Sequence, residues 1–340
     1  MRTTVIVTAA ACSLALVSAC GSSATSSSTA TPTSTATGSA SVSLALPAVA
    51  DIKASSTTDQ TVNMPKSGLD DSAIPLGGST KTSTEAKAGY LYACRTPSGG
   101  PAVTIPPWVD TSASTWDATT KVAVEGADHY SNRTFTATEN GTSLVLAGNR
   151  LPQQSGTFPV SALDPAHQYN PNPDSVTSGT MSATITLNPT VNTTATCNAG
   201  FSGIMSDGIP LLDGYDAGGY DAAAVETQDT CHGHPNSETG YHYHSLSPCI
   251  LTATARTQST QVGWAFDGFG IYVEYNADGT MLTNGALDAC HGRTSVVTWH
   301  GKKQSIYHYV MTAEFPYAVG CFRGTPATTA NVSGIGYIAP

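Results

Sequence analysis

Apolar and polar positions alternate differently in three parts of the chain: one short apolar run, a long stretch with no period, and a series of short segments with apolar residues at every second position. The run extends from Val5 to Val17 behind a single basic residue, Arg2. It falls short of the roughly 20 apolar residues that a permanent membrane-spanning helix needs. From Gly21 to about Ala45 the sequence is almost entirely Ser, Thr, Ala, Gly and Pro, and thin composition with scattered charges continues to about Ala88. Such a segment buries too little apolar surface to offset the entropy of ordering it. A flexible tether is therefore predicted over residues 20–88 and a folded domain over residues 89–335.

Within that domain, Lys121 to Val124, Arg133 to Thr138, Ser143 to Ala147 and Met181 to Leu187 carry β-branched or aromatic residues in alternation. Further strands are predicted at Val262 to Tyr275, Val296 to His300 and Ser305 to Thr312. Turn-forming Gly and Pro separate them. No long segment has a helical period, and the one helix predicted is short, Asp221 to Gln228 with Asp221 as its N-cap. The expected fold class is mainly β: a disulfide-stapled, loop-rich antiparallel β domain with few short helices.

Charge narrows the partners. The formal net charge is −10, charged residues are sparse, and no cluster of Lys or Arg occurs. This argues against nucleic acid and acidic lipid as partners. A basic residue, an apolar run and small residues before Cys20 have the layout of a secretory signal over residues 1–19. Val17-Ser18-Ala19-Cys20 resembles the lipobox of bacterial lipoproteins, in which the matching cysteine is lipidated and becomes the first mature residue. Two acyl chains anchor stably where one holds only marginally. The resemblance thus implies an extracytoplasmic protein held to the outer face of the cell membrane through Cys20 alone. Of eight cysteines, Cys12 would leave with the signal and Cys20 would carry lipid. The remaining even number reads as a disulfide framework.

The second half of the chain contains a duplication. One copy, residues 203–249, runs through Gly203 to Leu211 (GIMSDGIPL), Cys231 to His244 (CHGHPNSETGYHYH) and Cys249. The other, residues 263–321, runs through Gly263 to Ile271 (GWAFDGFGI), Cys290 to Arg293 (CHGR), Tyr307 to Tyr309 (YHY) and Cys321. If each copy closes on itself, the symmetry pairs Cys231 with Cys249 and Cys290 with Cys321, leaving Cys94 for Cys197. Asp207 and Asp267 precede glycines and read as turn residues rather than catalytic carboxylates.

The histidines carry the candidate chemistry. In a strand, residues two apart share a face, so His242 and His244 project to one side and Tyr241 and Tyr243 to the other. A second His-x-His lies at His232 and His234, and a Cys231–Cys249 bridge would bring all four imidazoles together. Imidazole suits Zn, Cu, Fe and Ni rather than Ca or Mg; a transition metal, Cu or Zn, is the expected cofactor. The other copy is poorer, with Arg293 in place of His234 and Val310 in place of His244. The first copy is the expected principal site, with His308 or His291 completing it across the interface between copies. His129 and His167 are isolated and read as ordinary surface or core residues. Extracytoplasmic thiols oxidise, which argues against the cysteines as ligands.

These segments resemble the YHYH domain family of exported proteins: DTCHGH and GYHYHSLSPC, then WAFDGFGIY, LDACHGR, IYHYVMT and FPYAVGCFRG, with YNPNPDSVTSGTMSATITLNP as the opening segment. The resemblance covers about Gly141 to Gly324. This chain departs from it in YHYV, where a fuller YHYH is common, and at Gly270, where Pro is more usual. The family is named for its motif, so the resemblance implies one continuous β domain and no catalytic assignment. Three functions are weighed: a surface lipoprotein that binds metal, a metal-dependent hydrolase or oxidoreductase acting on envelope material, and a structural or adhesive domain without metal. The enzyme requires histidines lining a cleft with an open coordination position, and no GxSxG or HExxH signature supports it. The structural domain requires imidazoles that never converge.

Overall fold

The alternating segments assemble into two principal sheets in a computed structural model that describes residues 41–42, 59–94, 104–327, 330–332 and 335–336. The predicted signal, Cys20 and most of the tether lie outside the described residues, all of which fall within one unit, Ser39–Pro340. Strands β1 (Phe135–Asn140), β2 (Ser143–Gly148) and β3 (Met181–Thr186) form an antiparallel sheet. Ser41–Val42 extends it beside β1, and Ala330–Val332 beside β3. Leu144 and Leu146 of β2 and Met181, Ala183 and Ile185 of β3 are buried at alternate positions, the signature of one face packed on a core.

The larger sheet holds both copies of the repeat. The first contributes β4 (Phe201–Met205), β5 (Pro210–Leu212), β6 (Gly233–Asn236) and β7 (Gly240–Tyr243). The second contributes β8 (Thr260–Ala265), β9 (Gly270–Val273), β10 (Gly292–Trp299) and β11 (Lys302–Met311). The spatial order β6-β7-β5-β4-β8-β9-β11-β10 is a palindrome of the two copies. Most pairs are antiparallel, and each copy has one parallel pair at matching positions, Leu211 opposite Tyr243 and Ile271 opposite Tyr309. The copies meet along β4 and β8, with Gly203 opposite Ala265 and Met205 opposite Gly263. That is the self-complementary pairing of a two-fold axis. Register shifts precede both Gly203 and Gly263. A Cβ on Gly203 would lie 2.2 Å from the Trp264 carbonyl, and one on Gly263 2.9 Å from that of Ile204. Only glycine admits so close a backbone approach.

One apolar cluster joins the sheets, running from Leu146 and Ile185 to Ile204, Leu211, Tyr241, Ile271 and Tyr309. Disulfides link Cys94 to Cys197, Cys231 to Cys249 and Cys290 to Cys321, so each repeat copy is closed on itself.

Four sequence expectations need correction. Residues 59–88, expected as tether, are packed: Ile74 is buried with Trp108 and Trp116, and Ile74–Pro75 pairs with Thr115–Trp116. Side-chain turns, which need no apolar period, hold two parts of this segment. Asp59 accepts from the backbone of Thr61, and Asp70 from that of Ser72, the local bonding that competes with regular structure. Val262 to Tyr275 is a hairpin, broken at Asp267-Gly268, where Gly268 has φ 92°. Lys121 to Val124 forms only an isolated bridge, Val124 to Asp229. The helix is a single turn, α1 (Ala222–Val225), and the Asp221 side chain does not cap it. Its carboxylate accepts instead from the Gly77 amide and the Tyr317 hydroxyl.

Candidate metal centre

Two copies of one turn place the site. In Asp229-Thr230-Cys231-His232-Gly233 the Asp229 carboxylate accepts from the Cys231 and Gly233 amides, and the Asp229 carbonyl from the His232 amide. Asp288, Cys290, His291 and Gly292 repeat all three bonds. His232 and His291 sit at φ 59° and 70°, the left-handed region that a non-glycine residue seldom occupies. The histidine of the CHG element is thus a turn residue in both copies. His232 contacts the carbonyls of Leu246 and Gln60, each at 3.0 Å, and burial lowers its pKa to about 4. It lines a separate, mostly apolar cavity of about 60 Å³. It does not join the cluster expected from the sequence.

After the turn, β6 and β7 form a hairpin with His234 directly opposite His242. His244 follows two residues on, so the three rings converge, with centroids 4.5, 4.9 and 5.6 Å apart. Tyr241 and Tyr243 point the other way, as alternation requires. Their hydroxyls donate to the buried carboxylates of Asp229, at 2.8 Å, and Asp207, at 2.9 Å. Burial raises both carboxylates to about 6.

The tautomers follow from geometry. A carbonyl only accepts, so Nδ1 of His242 must donate to Gly240 O, at 2.9 Å, and Nδ1 of His244 to Asp213 O, at 2.6 Å. In a neutral imidazole the other nitrogen then carries a lone pair. Burial lowers the pKa of His244 to about 3 and that of His242 well below the usual value, so both rings are neutral at pH 7. Their Nε2 atoms nevertheless face each other at 3.1 Å, two acceptors with no proton between them. His234, lowered to about 3 by burial, forms no aligned hydrogen bond at either ring nitrogen among the described residues, and its Nε2 lies 3.2 Å from Glu226 Oε2. A cation placed between them would relieve the arrangement.

A carboxylate lies beside two of the three rings. Glu226, the residue after α1, places Oε2 at 3.2 Å from His234 Nε2 and 3.3 Å from His244 Nε2. Burial raises its carboxyl, with the His244 ring and the Lys121 ammonium acting the other way. Lys121 is fully buried and donates to Ala223 O and Gln228 Oε1, pinning the segment that carries Glu226. Ligand atoms held at 2.0–2.1 Å around a tetrahedral ion are separated by about 3.3 Å. Three of the six separations in such a set, at 3.1, 3.2 and 3.3 Å, match that edge. His234, His242 and His244 can hold a metal ion, and nitrogen and carboxylate donors with fixed tautomers suit Zn or Cu. Glu226 was missed from sequence; the predicted helix located its segment, but nothing local to it signals a ligand.

His308 does not reach this site. It pairs with Arg293 across β10 and β11, in the register that His242 and His234 occupy in β7 and β6. Five strand spacings separate β11 from β7, about 24 Å. His308 Nδ1 contacts Ile306 O at 2.9 Å, and its Nε2 lies 3.2 Å from Glu274 Oε2. The Arg293 guanidinium approaches the same oxygen at 3.7 Å. The second copy therefore carries its own cation where the first presents unprotonated nitrogens. His291 bonds within its copy, to Asn284 and Thr312.

The three imidazoles and Glu226 line a cleft of about 550 Å³. The model of a family described as YHYH protein matches residues 182–282 and 273–324. No curated protein and no solved structure matches the chain.

Proposed function

From the YHYH domain that residues 182–324 form, we propose a surface-anchored lipoprotein that binds one transition-metal ion, Zn or Cu, through His234, His242, His244 and Glu226. One observation carries the reading. Two buried imidazoles, each with Nδ1 committed to a backbone carbonyl, aim their Nε2 lone pairs at each other across 3.1 Å. Buried polar groups without partners cost free energy, and a bound metal ion would replace this repulsion with a bond to each of the two nitrogens. A structural domain without metal predicts separate partners for the rings, and the convergence favours the metal. Export and anchoring rest on the signal-like residues 1–19 and the lipobox ending at Cys20.

Metal analysis of protein purified without a histidine tag tests the reading. The expected content is one Zn or Cu per chain, lost in a His242→Ala/His244→Ala variant that keeps the wild-type circular dichroism. Equal metal content in both proteins would refute it.

A second reading, that the ion acts on a substrate, is favoured by the cleft. Structural metal sites are closed, whereas catalytic ones adjoin solvent and keep an exchangeable position. When bound, the ion would act as a Lewis acid. The chain's own contribution is orientation of the imidazoles by Gly240 and Asp213 carbonyls and a carboxylate, Glu226, next to two of them.

A further inference from the structure

The cavity beside His232 is separate from the metal centre. At about 60 Å³ it exceeds several-fold the roughly 10–15 Å³ that one water needs, which leaves room for a short organic molecule. Met64, Ile74, Leu246 and Met281 give it an apolar wall, and half-buried Thr61, Pro65 and Ala313 border it on the solvent side. Lys121 lines it too, at 1 % exposure. An ammonium has three N–H groups. Two of those of Lys121 donate to Ala223 O and Gln228 Oε1, and no third acceptor occurs among the described residues. No carboxylate forms an ion pair with it among those residues either. Glu226 lies against two imidazoles, Asp221 accepts from Gly77 and Tyr317, and both act on the ammonium only from a distance. Asp71, the one carboxylate on the cavity wall, is half-buried and bonded to the Ser67 hydroxyl. Gln228, 2 % exposed and on the same wall, has no partner for Nε2. Two buried donors, one of them a cation without an adjacent carboxylate, therefore border one apolar space. Burial pushes the lysine down to about 7, as expected of a charge short of solvation.

We infer that this cavity binds a short-chain carboxylate, its oxygens on Lys121 Nζ and Gln228 Nε2 and its alkyl end against Met64, Leu246 and Met281. The charge-assisted hydrogen bond fills a vacant donor position and so displaces no existing partner. An alcohol of the same length brings no charge to the ammonium, and an amine is repelled by it. On a chain of net charge −10, long-range repulsion opposes carboxylates in general, so their binding reports a local site. The inference does not depend on the metal reading above.

Calorimetry at pH 6 with three probes of matched length, propionate, 1-propanol and propylammonium, tests it. Propionate should bind at least tenfold more tightly than propanol, and propylammonium should not bind. Propionate binding should persist in the His242→Ala/His244→Ala variant, which separates this cavity from a carboxylate held by a metal ion. Gln228→Glu, of equal size, supplies the ammonium with a carboxylate from the chain itself and should weaken propionate at least tenfold. Lys121→Met should give the same loss, and Gln228→Glu decides alone should that variant not fold. Equal binding of acid and alcohol, an affinity untouched by Gln228→Glu, or loss of binding in the double-histidine variant would overturn the inference. So would a protein that binds no propionate, which would mean that the cavity takes up water alone.

Discussion

His242 and His244 differ from ordinary surface imidazoles because backbone carbonyls fix their tautomers and burial keeps them neutral. The consequence is weak competition from protons. A depressed pKa means that metal-bound nitrogen is contested only at low pH, so affinity falls less on acidification than at an ordinary site. Three imidazoles of pKa near 6.5 would lose about four orders of magnitude in affinity between pH 7 and pH 5. With His234 and His244 lowered to about 3, the expected loss is below about a hundredfold, most of it from Glu226, whose carboxyl burial raises. Competition with a chelator at the two pH values measures it, and a four-decade loss contradicts the assignment. Glu226→Gln keeps the volume but removes the charge, and should weaken Zn binding by about 10–100-fold or more. His232→Asn should leave metal content unchanged, because that imidazole serves a turn, and an unchanged Zn affinity by the same assay checks it.

The element that makes the site is the β6–β7 hairpin, whose alternation sends imidazoles into the cleft and tyrosines into the core. Tyr243→Phe strips Asp207 of its hydroxyl donor and should cost about 1–3 kcal/mol, read as a lower melting temperature with metal content retained. Loss of metal without loss of stability would contradict that division of labour. This much was legible in the sequence: period-two alternation in Tyr241-His242-Tyr243-His244 fixed the two faces, and the repeated Cys-His-Gly and Tyr-His-Tyr landmarks located both copies. Convergence of His234 with that pair was expected from a Cys231–Cys249 bridge, though His232 was expected to join them. His232 was not separable from them, because its exclusion depends on a left-handed backbone at φ 59° that no residue pattern announces. Glu226 was hidden for another reason. It reaches the cleft through α1 and the buried Lys121, contacts spanning more than a hundred residues of chain. Parts of residues 59–88 are held by Asx turns at Asp59 and Asp70, a local device that composition alone reads as tether.

Across the whole molecule, the pseudo-two-fold sheet places one histidine-rich copy and one salt-bridged copy at opposite ends of eight strands. The equivalence of Arg293 with His234, and of Val310 with His244, makes a direct prediction. An Arg293→His/Val310→His variant sets three imidazoles beside Glu274, and its Zn stoichiometry should rise from one to two per chain; a ratio that stays at one would show that the copies are not interchangeable at this position. Anchoring is tested apart from metal. Cys20→Ala should abolish incorporation of labelled palmitate in a bacterial host, and undiminished labelling would count against the lipobox. The central claim is the metal site itself, and anomalous diffraction at the Zn edge from crystals of the tag-free protein tests it most directly. The predicted result is one strong peak per chain within 2.0–2.2 Å of the Nε2 atoms of His242 and His244, with His234 and Glu226 completing the shell. No peak there, or a peak at His232 or His308 instead, would contradict it.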